Sequence, residues 1–110
     1  MKQYVIDELR PSDYQKIKVY MDTHFGKDSL EGIYWIPVDE EQLAHVQPSH
    51  DECHPFFFAV QLDVDRIACE LLVRTRNKIR CDCIRYATQD QRNWLIGMFD
   101  AIFDDLEIIT

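Results

Sequence analysis

Two neighbouring stretches of strict alternation constrain the fold more than any other feature of this chain. In residues 56–65 the apolar side chains fall at every second position, and the pattern resumes in residues 67–76 after Asp65-Arg66. Alternation with aromatic and β-branched content predicts two half-buried strands. A two-residue loop between them would place Leu62 opposite Cys69. Because directly opposed residues share a face, this one register puts both apolar sets on the same side of a hairpin.

The hairpin is followed by a third predicted strand over residues 79–87. Two registers remain open for it. A two-residue loop after the second strand places Ile84 and Tyr86 on the core face. A three-residue loop instead buries Cys81 and Cys83, because a slip of one residue exchanges every side chain between the two faces.

A C-terminal helix is predicted to begin at Thr88, which forms a capping box with Gln91. The apolar side chains of this helix cover an arc of roughly 200°, about twice what contact with one sheet face requires. The surplus implies a second partner, either another helix of this chain or a second copy, and we predict a homodimer in which the second copy covers Trp94, Ile96 and Phe103.

The first half of the chain adds a strand over residues 4–9 and a helix that begins at a capping box in residues 12–15. An apolar run in residues 32–38 contains Pro37 and predicts an edge strand or a packed loop. A short helix is expected over residues 39–46. The predicted fold is therefore a single α+β domain spanning residues 1–110, with the order β-α-(β)-α-β-β-β-α and helices packed on one face of an antiparallel meander.

The opening strand and helix, over residues 4–25, resemble the start of GNAT-type acetyltransferases, and the order of the later elements follows the first half of that fold. This resemblance implies a degenerate GNAT-like protein that binds acyl-CoA. In that family a glycine-containing turn after the last meander strand holds the cofactor pyrophosphate. The corresponding residues 85–91 contain no glycine here.

Composition and charge limit the classes of partner. The net charge is −8 and the hydrophobic content is 46%, which together indicate an acidic globular protein that repels nucleic acid and anionic membranes. The chain has neither an apparent signal peptide nor an apolar run long enough to span a membrane, so we expect no membrane partner and a cytoplasmic location. Four cysteines in such a chain are expected to be thiols or metal ligands.

Five residues form a candidate zinc site. His50, Cys53 and His54 have the spacing of one helical turn, and Cys81 and Cys83 would point the same way from a strand. Nitrogen and sulfur donors of this kind are the ligands that zinc prefers. The alternatives are solvated histidines beside small apolar cysteines, or a nucleophilic pair of Cys53 with one histidine.

The turn before the third strand carries a second candidate site, a basic tip formed by Arg74, Arg76, Lys78 and Arg80. Such a cluster can contact an anion or a nucleic acid, or acidic residues of the same or a neighbouring chain. Alternatively, its charges keep neighbouring sheet edges from pairing.

No arrangement of residues in the sequence indicates catalysis. We therefore predict a small cytoplasmic interaction domain that forms a homodimer and has room for a further protein partner. The alternatives are a zinc-binding version of the same domain and the acyl-CoA-binding protein that the resemblance implies.

Overall fold

The computed structural model describes residues 1–26 and 29–109, and in this part of the chain an antiparallel sheet of six strands packs against two α-helices. The predicted α+β class is confirmed. No helix among these residues is both long and apolar enough to cross a membrane. In chain order the elements are β1 (Gln3–Ile6), α1 (Pro11–Phe25), β2 (Ile33–Pro37), β3 (Phe56–Leu62), β4 (Ile67–Glu70), β5 (Leu72–Thr75), β6 (Arg85–Tyr86) and α2 (Gln89–Asp105).

The predicted hairpin is present, with β3 at the centre of the sheet. The loop is longer than predicted, however, because the Asp63 amide donates to the Arg66 carbonyl at 2.8 Å and closes a four-residue turn. As a result Leu62 pairs with Ile67 rather than with Cys69. The shift is two residues, so each side chain keeps its predicted face. Val64, which was predicted to face the core, lies in this turn and is 70% exposed.

Beyond Leu71 the register returns to the predicted one, since Phe56 pairs with Thr75. Leu71 interrupts the strand, and its backbone groups bond to neighbouring segments rather than to β3. Its amide donates to the Lys2 carbonyl, and its carbonyl accepts from the Ala87 amide. This interruption divides the second strand of the hairpin into β4 and β5. As a result β4 pairs with β1, and β5 pairs with β6.

Both helices lie on the same face of the sheet, as predicted. From α1, Asp22 accepts a hydrogen bond of 2.5 Å from the buried Tyr34 hydroxyl on β2. From α2, Trp94 stacks on Phe58 of β3 with ring centroids 6.3 Å apart. The expected third helix, over residues 39–46, is wrong. Only a 3₁₀ turn at Glu40–Gln42 forms there.

The capping box of α2 forms as predicted. The Thr88 hydroxyl accepts from the Gln91 amide, and the Gln91 side chain accepts from the Thr88 amide. The start of α1 differs from the prediction, because Arg10 occupies the N-cap position and Asp13 accepts from its amide. Pro11 at the first helical position explains the earlier start, since its fixed φ and missing amide suit that position.

The chain itself covers more of the apolar side chains of α2 than the width of their arc had predicted. Phe103, one of the three residues predicted to be left over, is only 5% exposed and belongs to the core of the single chain. Trp94 and Ile96 keep partial exposure. A dimer contact through Phe103 is therefore blocked in this conformation, while dimer formation itself stays a prediction.

The third predicted strand is mostly wrong. Only Arg85–Tyr86 pair with β5, and residues 76–84 form a loop instead. Neither of the two registers proposed from the sequence occurs, because Leu72 pairs with Tyr86. The positions of Cys81 and Cys83 are therefore set by a loop and not by a strand.

Candidate metal centre

Two segments separated in sequence meet beside the end of the central hairpin. The first ligand segment, residues 47–54, consists mainly of two 3₁₀ turns at Gln47–Ser49 and Asp51–Cys53. The second ligand segment is the loop of residues 76–84. Their contact places four potential metal-binding side chains together, namely those of His50, Cys53, Cys81 and Cys83. One ligand atom from each residue lies within 4.8 Å of all the others.

The distances within this cluster suit a tetrahedral zinc site. The Cys53 and Cys81 sulfurs are 3.9 Å apart, and the Cys81 sulfur lies 3.3 Å from His50 Nδ1. Zinc–sulfur bonds of about 2.3 Å in a tetrahedron place neighbouring ligand atoms about 3.8 Å apart. The four donors therefore need only small shifts to surround one ion.

His54, the fifth residue of the predicted set, lies outside the cluster. Its Nε2 donates to the Gln47 carbonyl at 2.8 Å, and its ring packs edge-on against Phe56. The reason is where the local turn ends. Cys53 is the last residue of the 3₁₀ turn Asp51–Cys53, whereas His54 follows the turn with an extended backbone, so its side chain leaves in a different direction.

The surroundings of Cys81 and Cys83 shift the pKa values of their thiols in opposite directions. Cys53 and Cys83 are 0% exposed, while Cys81 retains partial exposure. Burial raises the pKa of Cys83 to about 12. Hydrogen bonding, first of all from the Cys83 backbone amide, lowers the pKa of Cys81. A metal ion bound at this cluster would stabilise the ionised form of the buried Cys83 thiol, and its proton would be released on binding.

A carboxylate lies at the edge of the cluster, beside both His50 and Cys81. The Cys81 sulfur is 3.3 Å from His50 Nδ1 and 3.5 Å from Asp82 Oδ1. The other ring nitrogen of His50, Nε2, lies 3.9 Å from the same Asp82 oxygen. Because this separation is longer than a hydrogen bond, Asp82 does not fix the orientation of the His50 ring.

Hydrogen bonds fasten both the end of β5 and the second ligand segment to the first ligand segment. The Thr75 hydroxyl donates to the Cys53 carbonyl at 2.5 Å. The Asn77 side-chain amide donates to the Glu52 and His54 carbonyls, each at 3.1 Å. These bonds satisfy backbone acceptors of a segment that has no strand partner, and they hold the cysteines of the two segments at a fixed separation.

A buried glutamine links both segments to α2, and sequence reasoning did not identify it. The Gln47 side chain is completely buried and donates to the Cys83 carbonyl at 2.9 Å. Its oxygen accepts from the Ala44 amide at 3.0 Å and from Gln91 Nε2 at 3.1 Å. A glutamine within a polar connector gives no sign in sequence that it will be buried.

The predicted basic tip makes mostly intramolecular contacts. Lys78 Nζ donates to Glu52 at 2.8 Å, and Arg74 forms two hydrogen bonds with Glu70. The Arg76 guanidinium lies 5.0 Å from the centroid of the Trp35 ring. Arg80 is exposed. Because Lys78 belongs to the second ligand segment and Glu52 to the first, this ion pair joins the two segments.

Cys69 is the one cysteine that stays apart from the cluster. It lies on β4 within the core, and its sulfur donates to the Glu70 carbonyl at 3.4 Å. Burial raises the pKa of its thiol well above the ordinary value. It behaves as a small apolar residue and provides a matched control for the cysteines of the cluster.

The start of α2 bears on the acyl-CoA alternative, because the resemblance places the phosphate-binding turn there. The Thr88 and Gln91 side chains already cap this helix start. Glycine is missing from this position, so the close approach of backbone to phosphate that the family uses has no counterpart. The helix pair implied before the meander is also reduced to α1 and short 3₁₀ turns.

Comparison with protein-family models, with curated proteins and with solved structures finds no significant match to this chain.

Proposed function

We propose that this protein is a small α+β domain built around a zinc ion held by His50, Cys53, Cys81 and Cys83. The convergence of four soft or borderline donors within 4.8 Å carries the proposal. A cluster of one imidazole and three thiols is a common ligand set for structural zinc, and tetrahedral sulfur-rich sites favour zinc over magnesium or calcium.

The ligand count supports a structural role for the ion rather than a catalytic one. Catalytic zinc keeps a coordination position open for water or substrate, whereas four protein ligands close a tetrahedral site. Each ligand segment supplies two of the four donors. The ion would therefore crosslink two segments that contain neither strand nor α-helix, and would set the shape of the surface that they form.

The surroundings fit the charge of such a site. Zinc with three thiolates and a neutral imidazole carries a net charge of about −1, so a nearby cation stabilises it. The pKa of Lys78 is raised, first by its hydrogen bond to Glu52 and also by the neighbouring Cys53 and Cys81. In this proposal at least one residue of the basic tip serves the metal site rather than an external anion.

Metal content tests the proposal. Protein purified without added chelator is expected to contain about one zinc per chain by elemental analysis, with little iron. Removing the metal with a strong chelator at neutral pH should lower the melting temperature, because binding energy of the ion contributes to folding. Metal-free protein with an unchanged melting temperature would contradict the proposal.

Control variants separate the cluster from nearby residues of the same type. Cys69→Ser and His54→Asn should each keep a full complement of zinc, whereas Cys53→Ser and His50→Asn should lose it. Loss of zinc from the His54 variant but not from the His50 variant would mean that the wrong histidine has been assigned.

Beyond metal binding, we propose the role predicted from the sequence, that of a cytoplasmic interaction domain that forms a homodimer. Partial exposure of Trp94 and Ile96 on α2 favours self-association through that helix. Sedimentation of the zinc-loaded protein at tens of micromolar should give a dimer, and Ile96→Glu should give a folded monomer. A monomeric wild type would rule out this part of the proposal.

A further inference from the structure

The sulfurs of the cluster differ in their access to solvent. Cys53 and Cys83 are fully buried, whereas Cys81 is only partly buried. The His50 side chain, which lies beside Cys81, is 26% exposed. The cluster thus has one open side, and a small solute that arrives from solvent meets the Cys81 sulfur first.

Two sulfurs neighbour that of Cys81, one from Cys53 on the other ligand segment and one from Cys83 on the same segment. Cys53 Sγ lies 3.9 Å from Cys81 Sγ. A disulfide requires a sulfur–sulfur bond of about 2.05 Å, so an approach of about 2 Å would join the two. Cys83, by contrast, lies two residues from Cys81 in the same turn. Cys53 is accordingly placed to react with an oxidised Cys81.

We propose that the zinc site is also a peroxide-sensitive release switch, in which oxidation links Cys81 to Cys53 and frees the ion. This inference rests on the proposed function, because it requires a zinc-loaded site. The oxidant is a hydroperoxide, the smallest being hydrogen peroxide, and the open side of the cluster admits it to Cys81.

The chemistry balances in two steps. The Cys81 thiolate attacks one peroxide oxygen, so a sulfur–oxygen bond forms, the oxygen–oxygen bond breaks, and the leaving hydroxide takes a proton to become water. The Cys53 sulfur then attacks the Cys81 sulfur and displaces the second hydroxide, which also leaves as water. The two sulfurs lose two electrons in total, the peroxide is reduced to two waters, and zinc keeps its charge.

Release of the ion follows from the ligand count. After disulfide formation His50 and Cys83 are the remaining donors of the cluster, and two protein ligands do not complete the tetrahedral site that zinc requires. The new covalent bond joins the same two segments that the metal had joined. Asn77 would continue to bond to the Glu52 and His54 carbonyls. The switch therefore changes the metal state while the surrounding fold is kept.

Titration of zinc-loaded protein with hydrogen peroxide tests the inference, with released zinc measured by a chromophoric chelator. About one zinc should be released for each peroxide consumed, with the loss of two thiols per chain. Peptide mapping of the product should give a Cys53–Cys81 disulfide, and a dithiol reductant with added zinc should restore the starting state. A Cys81–Cys83 link, or zinc retained after peroxide is consumed, would overturn the proposal.

Cys81→His provides the matched variant, since two histidines and two cysteines still form a complete ligand set for zinc while the accessible sulfur is removed. Zinc release from this variant should be slower than from the wild type by at least about tenfold. Release at the wild-type rate would contradict the role of Cys81. Cys69→Ser should release zinc as the wild type does. Should the histidine variant fail to load zinc, the disulfide map of the wild type decides alone.

Failure of this inference is distinguishable from failure of the proposed function. Protein that binds zinc at one ion per chain but resists peroxide refutes the switch and leaves the structural site standing. Protein that binds no zinc before any oxidant is added refutes the site itself.

Discussion

Replacing Cys53 by serine is expected to abolish tight zinc binding and to lower the free energy of unfolding by about 4 kcal/mol. The reason is that the zinc-bound state is stabilised only in the folded chain, where the four donors lie within 4.8 Å of one another. Loss of one buried sulfur ligand removes most of that contribution. The measurements are zinc content by elemental analysis and denaturant unfolding in the presence of zinc.

Cys69→Ser is the control for this experiment, because Cys69 is also a buried cysteine but lies on β4 away from the cluster. A serine in the apolar core costs stability too, so total stability alone does not separate the two variants. The loss of stability on adding a chelator separates the two variants. The Cys69 variant should still lose stability when zinc is removed, and the Cys53 variant should show no further loss. Equal chelator sensitivity in both would contradict the assignment of Cys53 as a ligand.

The central hairpin was predictable because alternation carries the same information in both strands. Its register was predictable only in part. A four-residue turn at Asp63 and an interruption at Leu71 each shift the pairing by two residues, and the two shifts cancel beyond Leu71. An apolar residue such as Leu71 gives no pattern by which a break in a strand can be foreseen. Its backbone bonds to Lys2, which precedes β1, and to Ala87, which follows β6, explain the break.

The third strand failed for a related reason. Ile79, Cys81 and Cys83 alternate with the charged Arg80 and Asp82 as in a strand, but these cysteines belong to a loop docked on the first ligand segment. The ligand types were predictable from the sequence, whereas the choice among the five candidates was not. Spacing does not show where a turn ends, and His54 lies outside the cluster because it follows the 3₁₀ turn with an extended backbone.

Contacts between distant segments could not be read from single positions at all. Thr75, Asn77 and Gln47 hold the site together through bonds to backbone carbonyls of other segments. Each of these residues has an ordinary role in turns and polar connectors, so its type carries no information about such a partner. Their importance becomes visible only once the two ligand segments are placed side by side.

Gln47→Leu is expected to lower the free energy of unfolding by about 3 kcal/mol, because the change leaves several buried polar groups without partners. The Cys83 carbonyl would lose its donor, and the Ala44 amide would lose its acceptor. Gln91 Nε2 would keep only its bond of 2.8 Å to the Gln42 carbonyl. Leucine fits the volume but satisfies none of these groups.

The Gln47 variant should also release zinc faster than the wild type. The Cys83 backbone positions the Cys83 sulfur, and in the variant its carbonyl no longer accepts a hydrogen bond from Gln47. Gln42→Leu is the matched control, because Gln42 contributes its backbone carbonyl to the same network and keeps that carbonyl after the change. Gln42→Leu should change the free energy of unfolding and the rate of zinc release only slightly. The two measurements are denaturant unfolding and zinc transfer to a chelator. If the two leucine variants behave alike in both, the buried network does not support the metal site.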